Sequence, residues 1–196
     1  MNLYELRSLV RRRTRDNGNP PLWSDDEIDG NLNEAERETC VRALLIEDNS
    51  SSITQIDTAT DEKRYAIDPR IIDVIAIEAA SSPGVAISGW STTEGYLILD
   101  RLPAKADTLT MRCYRLPLAD MVDDSDSPEI RAMYHERMAD WAISLCYMAP
   151  DAECFDQQAS DRYAARFTQS FGDRHNANSV RNFREKADKT VTCGNF

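Results

Sequence analysis

The chain has 196 residues, 41% of them hydrophobic, and a formal net charge of −11. That length allows one domain or two small ones with a proper core, and no apolar run approaches the ~18 residues that would span a membrane. The acidic balance excludes a general nucleic-acid binder, which would carry a basic footprint.

The first residues, MNLYELRSLVRRRTRD, contain no apolar stretch followed by a small-residue cleavage site, so no secretory signal is read here. The spacing predicts a short helix over 3–15, with Leu3, Leu6 and Val10 on one side. Arg7, Arg11 and Arg15 form a row four apart with Arg12 and Arg13 beside it, and only Glu5 opposes them. Such density in an acidic chain suits either a solvated flank or a contact with an acidic neighbour.

The next stretch, PPLWSDDEIDGNLNEAERE, announces a second helix. Ser24 and Glu27 have the spacing of a capping box, with Trp23 and Ile28 placed to close a hydrophobic staple. Asp25, Asp26 and Glu27 lie where the helix dipole favours negative charge, so the acids have a structural reason to be there. Ile28, Leu32, Ala35, Thr39, Ala43 and Ile46 return to one face, which extends the helix from about 25 to 46. The EDNSSS run then ends it.

Between Ile53 and Arg115 the period shortens. SITQID, KRYAID, RIIDVIAIEA, GVAISGW, GYLILDRL and DTLTMRCYRL are short, β-branched or aromatic and often alternating, and IDPR and SSPG read as turns. This predicts an antiparallel β-unit of five or six strands. Thr108, Thr110 and Arg112 alternate with Leu109, Met111 and Cys113, giving one wet and one packed face.

PLADMVDDSDSPE reads as an acidic linker. It lacks the glycine and the fixed acid spacing of a calcium loop. Ser127 followed by Pro128 signals a helix start, and the helix is expected to run from Pro128 to Met148. Ile130, Tyr134, Met138, Trp141, Leu145 and Met148 form its main apolar face, and Ala132, Ala139, Ile143 and Cys146 a second one. Such a helix sits centrally among helices or between subunits. His135 is expected on the surface. A last helix carries Phe155, Ala159, Tyr163, Phe167 and Phe171 and ends at Gly172. Residues 173–196 then form a mildly basic tail, with Val180, Phe183, Val191 and Phe196 as isolated apolar anchors. A tail this sparse is expected to order only on a partner.

Chemistry is thinly represented. The chain has no P-loop, GxGxxG, GxSxG or HExxH pattern. The five cysteines, Cys40, Cys113, Cys146, Cys154 and Cys193, show no zinc spacing with the two histidines and are expected as free thiols. No catalytic, cofactor or metal residue is therefore assigned. Carboxylates are plentiful, so composition leaves open a hydrolase acting on cell-wall glycan, and a soluble accessory module that binds one protein partner is a third possibility.

The architecture so predicted is α+β: a mostly helical bundle with two N-terminal and two C-terminal helices, residues 1–50 and 127–172. A small antiparallel β-unit is inserted at 51–118, an acidic linker occupies 119–126, and the tail follows. LWSDDEIDGNLNEAERE, YAIDPRIIDV, DTLTMRCYRLPLADM, PEIRAMYHERMADWAI and DAECFD resemble, in order and texture, the head-to-tail adaptor (connector) proteins of tailed bacteriophages. The resemblance covers residues 20–172.

It implies a structural virion protein and not an enzyme. The chain would be made in the host cytoplasm and placed at the head-tail interface. Its homo-oligomer would be a ring, commonly of twelve subunits, beneath the portal protein. Double-stranded DNA would pass through without specific binding, and tail nozzle, tail-tube or fibre proteins would dock below. No cofactor and no membrane are implied. The candidate portal contacts are Arg7, Arg11 and Arg15 on the first helix and Arg181, Phe183, Arg184, Val191 and Phe196 in the tail. Because the free chain is acidic, subunits are expected to repel one another and to assemble on the portal.

Overall fold

The computed structural model describes residues 1–93, 95–150 and 153–174. The fold is α+β, with four α-helices and small antiparallel sheets among the described residues. The tail residues 175–196, which include Cys193, Arg181, Phe183, Arg184, Val191 and Phe196, lie outside them.

α1 spans Leu3–Thr14. Its Asn2 cap accepts from the Glu5 backbone N–H while the Glu5 carboxylate accepts from that of Asn2, a capping box that satisfies two backbone donors. α2 spans Asp25–Ala43 and carries the expected box between Ser24 and Glu27. Trp23 and Ile28 are both buried in the same core, and the Trp23 indole N–H donates to the Cys146 carbonyl. α2 stops three residues short of the expected end. Leu44 adopts left-handed φ and its N–H closes on the Cys40 carbonyl. Ile46 instead offers its carbonyl to Arg115, which draws the chain into a sheet.

That sheet contains a strand the sequence did not suggest, β1, Glu47–Asp48. β2 (Gln55–Thr58), β4 (Ile71–Ala79) and β7 (Asp107–Arg115) complete it, with β7 pairing all three. A second sheet is built from β3 (Arg64–Ala66), β6 (Tyr96–Leu99) and β5 (Trp90–Thr93), in the order β3-β6-β5. Leu109, Met111 and Cys113 are buried and their alternate neighbours are not, as the period-two pattern requires. GVAISGW yields only the start of β5 at Trp90 and a single bridge from Ala86 to Glu78.

α3 spans His135–Tyr147, preceded by a 3₁₀ turn at Ala132–Tyr134, and α4 spans Gln157–Phe171. The cap signal at Ser127 and Pro128 does not start a helix. The N–H of Glu129 donates instead to Glu36 Oε1 at 2.7 Å, and Asp126 folds its carboxylate back onto the N–H groups of Val122 and Asp123. A distant carboxylate has taken a donor that the helix start would use. α3 packs against α1, α2 and α4, which explains its two apolar faces. Phe155 lies ahead of α4 and is exposed, and Met148 is exposed as well.

His135 is buried, not on the surface. Its Nε2 faces the Ile130 carbonyl at 3.0 Å and its Nδ1 lies within 3.1 Å of the Met1 backbone. An imidazole can satisfy both ring nitrogens locally, and that makes burial tolerable.

Two apolar cores result. One is shared by the helices and takes in Ile46, Met121 and Ile130 from the connecting segments. The other fills the β-unit around Ile77, Leu97 and Met111.

Candidate functional site

The acidic neighbour of the arginine row is on the same chain. Arg7 grips Asp29 with two hydrogen bonds, Nε to Oδ1 at 2.8 Å and Nη2 to Oδ2 at 2.5 Å. Its other terminal nitrogen meets Asp124 at 3.1 Å and Asp25 at 3.6 Å. Chiefly through the bond to Asp29, these acids hold the Arg7 pKa above its already high value. Arg11 reaches the buried Asp16 at 2.7 Å, Asp25 at 2.5 Å and the Trp23 carbonyl at 3.1 Å. The Asp25 carboxyl is held below the usual carboxylate range, first by that hydrogen bond from Arg11. The acids at the start of α2 thus stabilise their own helix end and clamp α1 onto it.

The row is therefore split. Arg7 and Arg11 have partners within the subunit, whereas Arg12 and Arg15 are exposed and have no ion pair among the described residues. Arg13 turns the other way. It lies about 200° round the helix from Arg11 and donates to Asp140 Oδ1 at 2.9 Å and to the Glu136 carbonyl at 3.0 Å.

A second charged centre ties the helices to the β-unit. Arg115, at the end of β7, donates Nε to Asp48 Oδ2 at 2.5 Å and Nη1 to Glu129 Oε2 at 2.5 Å and to the Leu116 carbonyl at 3.0 Å. Burial pushes the Asp48 carboxyl up, but donors from Ser51, Ser50 and Arg115 outweigh it and hold the group below the usual range. Glu129 also accepts from the Leu118 N–H, and its own N–H runs to Glu36. Burial pushes the Glu36 carboxyl up to about 7, with Glu129 and Asp120 adding negative charge nearby. Sequence reading missed this centre, since Asp48, Arg115 and Glu129 come from three distant segments. The one available signal was an arginine at an inward position of β7.

The β-unit holds a cavity of about 520 Å³ bordered by Ile87, Leu99, Asp100, Asp107 and Leu109. Asp107 accepts from the Ser81 hydroxyl, which chiefly lowers its pKa. A glycosidase general acid needs the opposite shift. The side chains of Cys40, Cys113, Cys146 and Cys154 are buried. Burial pushes the Cys40 thiol up to about 12 and those of Cys113 and Cys146 up to about 11, which makes them poor nucleophiles. No group of three or more metal-ligating side chains occurs among the described residues. No helix among them is long and apolar enough to cross a membrane.

What this geometry offers is salt-bridged helices and a braced junction, and the family comparison accords with that. The family model described as SU10 adaptor protein matches residues 1–188. The chain belongs to this family of phage head-to-tail adaptors. A search of curated proteins finds no match. The match begins ahead of the stretch on which the resemblance was read, so the adaptor family takes in α1 and residues 173–188 as well. The adaptor is a structural component of the bacteriophage virion, in a family that is not one of enzymes. Membership implies contacts with other phage head and tail proteins.

Proposed function

We propose that this adaptor forms a ring of twelve subunits beneath the portal, extends the DNA channel and gives tail nozzle, tail-tube or fibre proteins a surface to dock on. The family match over residues 1–188 carries this reading. In the proposed assembly the helices, residues 1–50 and 127–172, form the ring wall as a bundle. The β-unit at 51–118 hangs from them towards the tail, and 119–126 is the acidic connection. A net charge of −11 suits a wall past which DNA must slide, because a cationic lining would grip the phosphates.

The decisive experiment mixes the purified adaptor with its portal and determines particle mass and symmetry. A closed ring on the portal is the expected result. A single copy per portal, or no complex, would reject the reading in favour of a lone accessory module.

Deleting residues 173–196 is expected to leave the fold intact and to weaken portal binding at least about tenfold, or 1.4 kcal/mol. Arg181, Phe183, Arg184, Val191 and Phe196 are the proposed anchors in that segment. Full affinity without it would assign the segment another role. Of the α1 candidates, Arg15 is the clean test, because neutralising Arg7 or Arg11 also uncovers Asp29, Asp25 and Asp16. Arg15→Gln should weaken the salt-sensitive part of portal binding by a factor of about two to five, in line with one partly screened ion pair. An unchanged salt dependence would make Arg15 a solvated residue.

A further inference from the structure

α1 separates two surfaces of opposite sign. On one flank Asp25, Asp29 and Asp124 converge on Arg7, with the exposed Asp26 and Asp123 beside them, and acids outnumber arginines there. On the other flank Arg13, Arg137 and Arg166 surround the single fully buried carboxylate of Asp140, and Arg162 and Arg166 both lie over the Tyr163 ring at 5.3 Å. Glu136 adds one further acid, 3.5 Å from Arg13, and Asp156 and the exposed Asp161 stand near Arg162, yet Arg137 and Arg162 form no ion pair among the described residues. Asp140 cannot satisfy this cluster. Its Oδ1 is taken by Arg13, while its buried Oδ2 has no hydrogen-bond partner and stands 3.6 Å from Arg166, too long for a hydrogen bond. Arg166 is half-exposed, and Arg137 and Arg162 are exposed. The arginine cluster is thus under-neutralised in a chain whose overall charge is −11.

We infer that this arginine face, centred on Arg137, Arg162 and Arg166, docks the acidic flank of a second copy of the same chain, around Asp26, Asp123 and Asp124. The inference rests on the ring proposed above and names the two surfaces that meet in it. The two flanks differ, so the contact is heterologous, head to tail, the kind from which rings close. Its charge complementarity fixes partner and register, while the net negative charge of each subunit keeps the free association weak. Docking presses Arg166 towards Asp140 Oδ2, giving that oxygen the donor it lacks.

The test uses the full purified chain and needs no portal, so it fails or succeeds independently of the portal experiment. Sedimentation velocity is run over rising protein concentration at about 0.01 M and about 1 M salt, where screening lengths are about 30 Å and 3 Å. Self-association is expected at low salt only. The Arg137→Glu/Arg162→Glu variant should weaken it more than about tenfold, and so should Asp26→Lys/Asp123→Lys. A chain carrying all four changes should recover it, because the charges are again opposite. Recovery also shows that the two-residue variants were folded, which their thermal melts check directly. No self-association of the native chain at low salt, association unmoved by Arg137→Glu/Arg162→Glu, or no recovery in the four-residue variant overturns the inference. A short fluorescent DNA duplex is titrated in parallel. If Arg137→Glu/Arg162→Glu abolishes duplex binding and spares self-association, the face is a phosphate-binding surface and the inference fails.

Discussion

Replacing Arg115 with alanine is expected to destabilise the fold by about 3–5 kcal/mol, the usual result of removing one partner from a buried ion pair. The guanidinium stands between Asp48 and Glu129, each at 2.5 Å, and Arg115 and Asp48 are both only 8% exposed. Without it, a buried carboxylate on β1 keeps only its Ser50 and Ser51 donors, and the segment ahead of α3 loses its tie to β7. Lysine should restore only part of the loss, since one ammonium cannot reproduce the planar fork that reaches two acids. Arg112 on the same strand is the control. It is half-exposed, 3.7 Å from Glu47, and its alanine variant should change stability by no more than about 1 kcal/mol. Urea unfolding of the three variants settles the matter. Equal losses for Arg115→Ala and Arg112→Ala would mean that the junction is held by its backbone pairing alone.

Stability should also fall as pH rises towards 8, through Glu36. Its folded pKa of about 7 lies above the ordinary glutamate value of 4.5. Between those values the native state holds a proton that the unfolded chain has released. The contribution is therefore complete below about pH 4.5 and lost as pH passes 7, a change of about 3 kcal/mol at most. Glu36→Gln, which cannot ionise, should unfold at a similar urea concentration to the native chain at pH 5 and at a clearly higher one at pH 8. The difference between the two proteins isolates this group from all others that titrate in the window. Parallel pH profiles would show that Glu36 is ionised in the fold at no cost, with the backbone donors of Glu129 and Ile130 sufficing.

The contrast between the two helix-start signals shows what the sequence could tell. Ser24 and Glu27 were legible because both halves of their exchange lie within four residues. Ser127 and Pro128 carried an equally good local signal, yet Glu36, 93 residues from Glu129, captured the donor. His135 was misplaced for the same reason, because its partners are the backbone of Met1 and Ile130. β1 was hidden because two residues leave no period to detect, and only β7 defines them as a strand. The arginine row was visible, but helical spacing alone could not show that Arg7 and Arg11 turn to α2 while Arg13 turns to α3. Local backbone chemistry was readable, and pairings between remote segments were not.

The pairing of β1 with β7 sets Glu47 opposite Tyr114 and Asp48 opposite Cys113. The chain therefore leaves the helices and returns to them through a hydrogen-bonded doorway with Arg115 as its bolt, and the start of β4 braces the same edge, Arg70 bonding to Leu116 and Leu118 and Ile72 packing against the helical core. Beyond that edge, the chain between residues 80 and 106 can lengthen, shrink or be traded for another β-structure without changing the spacing the helices see, since the strands at the doorway already fix it. Such a joint makes the insert an interchangeable cassette. Selection could refit it to a different tail while the α-helical frame stays as it is, and a laboratory graft of a related insert between those positions would inherit the same freedom.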